Sequence, residues 1–158
     1  MLKYVDTKVV MSEIPDMITL AINISNCPNN CIGCHSSYLK EDVGTMLTDT
    51  LLQILINENP GIDCVCFMGG DSEPWQIKHY AAFIKHHYPE LKTAWYSGSD
   101  KLHTSIEINL HHFDYIKMGP YIEELGPLTS RTTNQRLYEI KHKPQDNELI
   151  DITHKFWK

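Results

Sequence analysis

Cys27, Cys31 and Cys34 stand at the spacing C-x3-C-x2-C directly after an apolar run, and they are the residues of this chain whose type and spacing point most specifically to chemistry. Thiolates hold iron-sulfur clusters. Three of them on one loop would ligate three irons of a [4Fe-4S] cluster and leave the fourth without a protein ligand from the motif, open to a substrate. The competing reading is a structural zinc site completed by His35 or another histidine. Such sites more often pair two short C-x2-C hairpins, whereas this loop follows a core strand. A chain of 158 residues also has no need of a zinc staple to fold, so the iron-sulfur reading is preferred.

A second set of residues can be placed around that loop. Gly69-Gly70-Asp71, Ser97-Gly98 and Gly119-Pro120-Tyr121 each follow a short apolar segment. In an open parallel α/β sheet or barrel, ligands bind where loops gather at the carboxyl ends of the strands. One face would therefore collect the thiolates, backbone able to approach a ligand closely, and a carboxylate. Taken alone, Gly-Gly-Asp is a tight strand-to-helix turn in which glycine supplies positive φ and aspartate caps the helix. Beside a cluster loop it becomes a candidate grip for a ligand's amino group. Cys64 and Cys66 share one face of their strand and read as core packing. The pairs His86-His87 and His111-His112 read as solvated positions, and Trp75, Trp95 and Trp157 as core or rim aromatics.

The elements that must position these residues follow from apolar patterning. Residues 17–24 read as a first core strand delivering the cysteine loop, and residues 63–68 as a second, apolar on both faces as in a buried parallel strand. Residues 91–96 and 113–118 repeat the pattern. Thr48 is the predicted N-cap of a helix over residues 49–57, closed by Pro60-Gly61. Asp71 or Ser72 is expected to cap a second helix with Pro74 in its first turn, ended by Pro89. Residues 3–14 read as an edge strand or extended lead-in, 103–112 as a brief helix, 136–140 as a last strand, 141–148 as a polar connection, and 149–157 as a docking tail. Strands alternating with helices imply right-handed parallel βαβ units. No internal repeat or second-domain boundary is visible, so residues 1–158 read as a single domain.

Composition is that of an ordinary globular protein, with 42% hydrophobic and 22% charged residues. A net charge of −6 argues against nucleic-acid binding, which needs a basic stripe to neutralise phosphates. No apolar run approaches the roughly 20 residues that cross a bilayer, and Asp6 falls where a signal peptide would be apolar. Five cysteines, three in one loop, fit a reducing compartment better than a disulfide framework. The expected location is cytoplasmic.

With these motifs in order, the chain resembles the radical S-adenosylmethionine (SAM) superfamily. The short length, Gly33 and His35 around the third cysteine, Trp95-Tyr96-Ser97-Gly98 and Thr133-Asn134-Gln135-Arg136 make it similar, more narrowly, to the activating proteins of anaerobic (class III) ribonucleoside-triphosphate reductase. The resemblance runs from about Ile18 to Arg136. It implies an incomplete parallel β/α barrel, since a full one typically takes about 250 residues. It also implies that Cys27, Cys31 and Cys34 ligate a 4Fe-4S cluster whose fourth iron chelates the amino and carboxylate groups of S-adenosyl-L-methionine. Gly33, Cys34 and His35 would lie along that cofactor, Gly69, Gly70 and Asp71 would hold the methionine amino group, and Ser97 its carboxylate or ribose. The superfamily pattern prefers an aromatic residue where Gly33 stands and often glutamate where Asp71 stands. No catalytic residue is implied beyond the cluster ligands. The implied activity is an oxidoreductase that cleaves SAM reductively and places a glycyl radical on the reductase, its protein partner, with electrons from a flavodoxin-like or ferredoxin-like donor. The alternatives are a radical SAM enzyme acting on a small molecule, one acting on a different glycyl-radical enzyme, and a non-enzymatic zinc or electron-transfer module.

Overall fold

The computed structural model describes residues 1–28, 37–101, 110–144 and 147–157. Its strands form one sheet in the order β3-β1-β2-β4-β5-β6-β7-β8. The centre is parallel: β2 (Thr19–Ile24), β4 (Cys64–Met68), β5 (Lys92–Tyr96) and β6 (Tyr115–Met118) run side by side, with Leu20 opposite Val65 and Phe67 opposite Trp95. This is the parallel series that the alternation of strands and helices predicts. The flanks are antiparallel, with β1 (Lys3–Val10) against β2, the two-residue β3 (Thr45–Met46) against β1, β7 (Arg136–His142) against β6 and β8 (Asn147–Asp151) against β7. The sheet is therefore mixed.

Three local outcomes depart from expectation. β1 is an edge only in part, because Met46 and Thr45 pair with Lys3 and Tyr4 at the start of its outer side. The segment read as a polar connection is a hairpin: its outer residues join β7 and β8, with His142 opposite Asn147. The second helix, α2 (Pro74–His87), is capped by neither Asp71 nor Ser72. It starts with Pro74 in its first turn and Glu73 at the N-cap, with no side-chain capping bond. The first helix, α1 (Asp49–Asn57), begins as expected, with the Thr48 hydroxyl accepting the Leu51 amide at 3.1 Å. In the span read as a brief helix, residues 102–109 lie outside the described residues and Leu110–His112 form one 3-10 turn.

Period-two alternation divides the sheet into two faces. Leu20, Ile22, Val65, Phe67, Trp95 and Ile116 pack with Leu52, Leu55, Ile77, Tyr80 and Ile84 of the helices in the main core. Cys64, Cys66, Ala94, Tyr96, Tyr115 and Leu137 face the other way. Among the described residues no α-helix covers them; Ile14 from the β1–β2 loop and Ile152 after β8 do so, with Leu128 and Phe156 packed alongside. The predicted core role of Cys64 and Cys66 holds, both being fully buried. Among the described residues no helix is long and apolar enough to cross a membrane.

Candidate metal centre and ligand cavity

Chain geometry at the end of β2 sets the first predicted ligand. Asn26 adopts φ +59°, and the Asn26 and Cys27 amides donate to the carbonyls of Glu41 and Leu39 at 3.0 and 2.8 Å. Cys27 is thereby held against the returning segment at the mouth of a cavity of about 170 Å³. The carboxyl ends of the parallel strands close that cavity. Asn23 and Ile24 come from β2, Met68, Gly69 and Asp71 from β4 and its loop, Tyr96 and Gly98 from β5, Lys117 and Tyr121 from β6 and its loop. Cys31, Cys34, Gly33 and His35 lie outside the described residues.

The Gly69-Gly70 turn requires glycine twice. Both residues have positive φ, +111° and +98°, and a β-carbon on Gly70 would lie 2.6 Å from the Ile77 side chain. Gly69 lines the cavity, and its carbonyl accepts the Trp95 indole N–H at 2.6 Å, while Gly70 packs onto α2. Asp71 is buried. Its carboxylate accepts the Ser97 hydroxyl on one oxygen and the Gly98 amide, at 2.7 Å, on the other. The two residues predicted to hold a ligand thus hold each other and join the loops after β4 and β5. Ser97 Oγ also accepts the Ser99 amide at 3.0 Å.

Lys117, Ser12 and Glu13, which sequence reasoning passed over, help to complete the walls. Lys117, buried mid-strand on the face opposite the α-helices, donates from Nζ to the Gly119 carbonyl at 3.1 Å and lies 5.5 Å from the centre of the Tyr96 ring. Met68, Tyr96, Lys117, Tyr121 and Gln135 line both this cavity and an adjoining one of about 400 Å³, which Ser12, Glu13, Leu128, Thr129 and Phe156 help to enclose. The available signal was period two. Tyr115 and Lys117 alternate with apolar Ile116, so the lysine had to face whatever lay inside the sheet.

Burial dominates the electrostatics of this face. It pushes the Cys64 thiol up to about 12, Asp114 adding to the effect, and raises Cys66 and Tyr96 well above their ordinary values. Those two thiols therefore stay protonated and inert at neutral pH. Burial also raises the Glu13 carboxyl, against the pull of Lys117.

Whether these residues suit an iron-sulfur cluster can be tested on Cys27. It lines the cavity beside apolar Ile24, Leu39 and Met68, a sulfur ligand in the low-polarity setting in which such clusters sit. Among the described residues no three His, Cys, Asp or Glu side chains gather as an alternative metal site. The described part of the site fits the cluster.

Comparison with known proteins agrees at this level. A family model described as a 4Fe-4S single cluster domain matches residues 18–141, and the chain belongs to that family. A search of the curated proteins finds no match, and a search of the solved structures finds none.

Proposed function

We propose that this iron-sulfur protein is a radical SAM activase that cleaves S-adenosylmethionine reductively and installs a glycyl radical on anaerobic ribonucleoside-triphosphate reductase. The four-stranded parallel centre is, in this reading, the incomplete β/α barrel. One observation carries the proposal. The cavity beside Cys27 is lined by Asp71 and by two lysines, Lys40 and Lys117. A carboxylate and two cations around one small cavity suit a zwitterion, its amino group toward Asp71 and its carboxylate toward the lysines.

Cys27, Cys31 and Cys34 would hold the cluster, which supplies the single electron that breaks the carbon-sulfur bond of SAM. This chain's own residues do the positioning. The Ser97 hydroxyl and Gly98 amide fix both oxygens of Asp71 before any ligand arrives, so the acceptor is preorganised. Gly69 brings backbone to the cavity wall where a side chain would intrude, the nearest atom to an added β-carbon being the Ile24 carbonyl oxygen at 3.0 Å. Met68 and Tyr96 present apolar surface that keeps water from a reactive species. The adjoining cavity offers the space in which the hydrogen donor would sit.

The test is electron paramagnetic resonance of the anaerobically reconstituted, reduced protein with and without SAM. A shifted cluster signal, followed by 5'-deoxyadenosine production and a glycyl radical on mixing with the reductase, is expected. A cluster signal indifferent to SAM refutes the radical SAM reading. Cleavage of SAM with no radical on the reductase refutes the partner alone.

A further inference from the structure

We infer that Glu13 is a specificity-determining residue, whose carboxylate receives a lysine or arginine side chain of the polypeptide entering the larger cavity. This rests on the reading above that the substrate is a protein. Glu13 lies in the β1–β2 loop that crosses the face of the sheet opposite the α-helices, next to the fully buried Ile14. The Tyr96 hydroxyl donates to its backbone carbonyl, which pins the loop to β5 at the boundary of the two cavities.

Its carboxylate is the anomaly. It lines the cavity of about 400 Å³, and among the described residues neither a hydrogen bond nor an ion pair within 4.0 Å reaches it. Lys117 on that face pulls on the Glu13 carboxyl through space but makes no ion pair with it within 4.0 Å, its Nζ donating to the Gly119 carbonyl and lying over the Tyr96 ring. The carboxylate is close enough to Cys66 and Tyr96 for its charge to help raise both, and burial raises its own pKa. A half-buried carboxylate with no bonded partner among the described residues is one that an incoming cation stabilises.

The walls define that cation's carrier. Leu128, Pro127 and Phe156 offer apolar surface, while Ser12 and Thr129 offer hydroxyls. A long aliphatic stem ending in a charge matches this arrangement. The stem would lie along Leu128 and Phe156 with its head on Glu13, the disposition that lysine and arginine side chains adopt at a polar boundary.

The probe is a pair of fluorescein-labelled, glycine-centred nonapeptides in a serine background, one bearing lysine and the other norleucine, which keeps the stem and removes the charge. Fluorescence polarisation against the full chain reads binding without turnover. Wild type is expected to bind the lysine peptide about tenfold more tightly than the norleucine peptide, as a charge-assisted hydrogen bond implies. Glu13→Gln, nearly isosteric, is expected to bring that ratio to about one. Glu13→Lys is expected to reverse the preference toward a glutamate peptide. The inference is overturned if wild type shows no preference for the lysine peptide, or if Glu13→Gln keeps it. SAM cleavage by wild type, followed separately as 5'-deoxyadenosine, tests the underlying function. Its absence sinks that reading while the binding ratios still decide the role of Glu13.

Discussion

Removing the brace between Asp71 and Ser97 gives a quantitative test of how the loops at the candidate site are held. The Ser97 hydroxyl gives Asp71 a buried, charge-assisted hydrogen bond, and the Gly98 amide gives it a second at 2.7 Å. Ser97→Ala removes the first and costs the Ser99 amide its acceptor, for about 1–2 kcal/mol. Asp71→Ala leaves both the Ser97 hydroxyl and the Gly98 amide without the carboxylate, for about 3–4 kcal/mol. Because the two changes share one bond, the double variant is expected to fall short of their sum by about 1–2 kcal/mol. For a chain of this size a urea m-value of about 2 kcal/mol/M converts these costs into midpoint shifts of roughly 0.5–1 M for Ser97→Ala and 1.5–2 M for Asp71→Ala. Urea unfolding followed by circular dichroism, under reducing and anaerobic conditions, measures all four proteins. Additivity to within about 0.5 kcal/mol, or an Asp71→Ala cost no larger than that of Ser97→Ala, would refute the brace.

Cys27→Ala, Cys31→Ala and Cys34→Ala are each expected to abolish the cluster's visible absorption while leaving far-ultraviolet circular dichroism near that of wild type; unfolding of all three would revive a structural-metal role. Gly70→Ala drives a β-carbon into Ile77 at φ +98° and is expected to cost about 2–4 kcal/mol, against about 1 kcal/mol for Gly61→Ala, where φ is +89° but nothing lies within 4 Å, as thermal melts can resolve. Alkaline stability follows the Cys64 thiol. Its pKa is about 12 in the folded chain against the 9.0 of an ordinary thiol, so above pH 9 the unfolded chain binds fewer protons and stability falls as pH rises. This thiol contributes about 1.4 kcal/mol per pH unit between those values, and urea midpoints at pH 8 and pH 10 are expected to converge more closely for Cys64→Ala than for wild type.

Legibility in the sequence tracked the range of the interaction. Thr48, Leu51 and Pro74 act within one helical turn, so the start of α1 and the place of Pro74 in the first turn of α2 could be read directly. The apolar run in β4 identified a buried strand because its neighbours on both sides are parallel. Asp71 misled as a cap because its partners, Ser97 and Gly98, come from the next strand's loop, and nothing local announces them. The β7–β8 hairpin was hidden by Lys141 and Glu148, charged residues that pair across an exposed sheet margin where polarity costs nothing. At the site, Cys27, Gly69 and Asp71 were legible from motif and order, whereas Glu13 enters from outside the parallel centre and could be found only by knowing what covers the face opposite the α-helices.

That cover also has a place in time. Cys64 and Cys66 belong to β4, but Leu137 and Ile152, which help to bury them, arrive more than 70 and 80 residues later in the chain. At a ribosomal pace of about 5–20 residues per second, the two thiols wait several seconds with one side of their strand open. During that interval their pKa values have not yet been lifted by burial, and they are the chain's most oxidisable core residues. Synthesis in air would therefore threaten this protein twice, once at its cluster and once, earlier, at sulfur atoms that the finished fold puts out of reach.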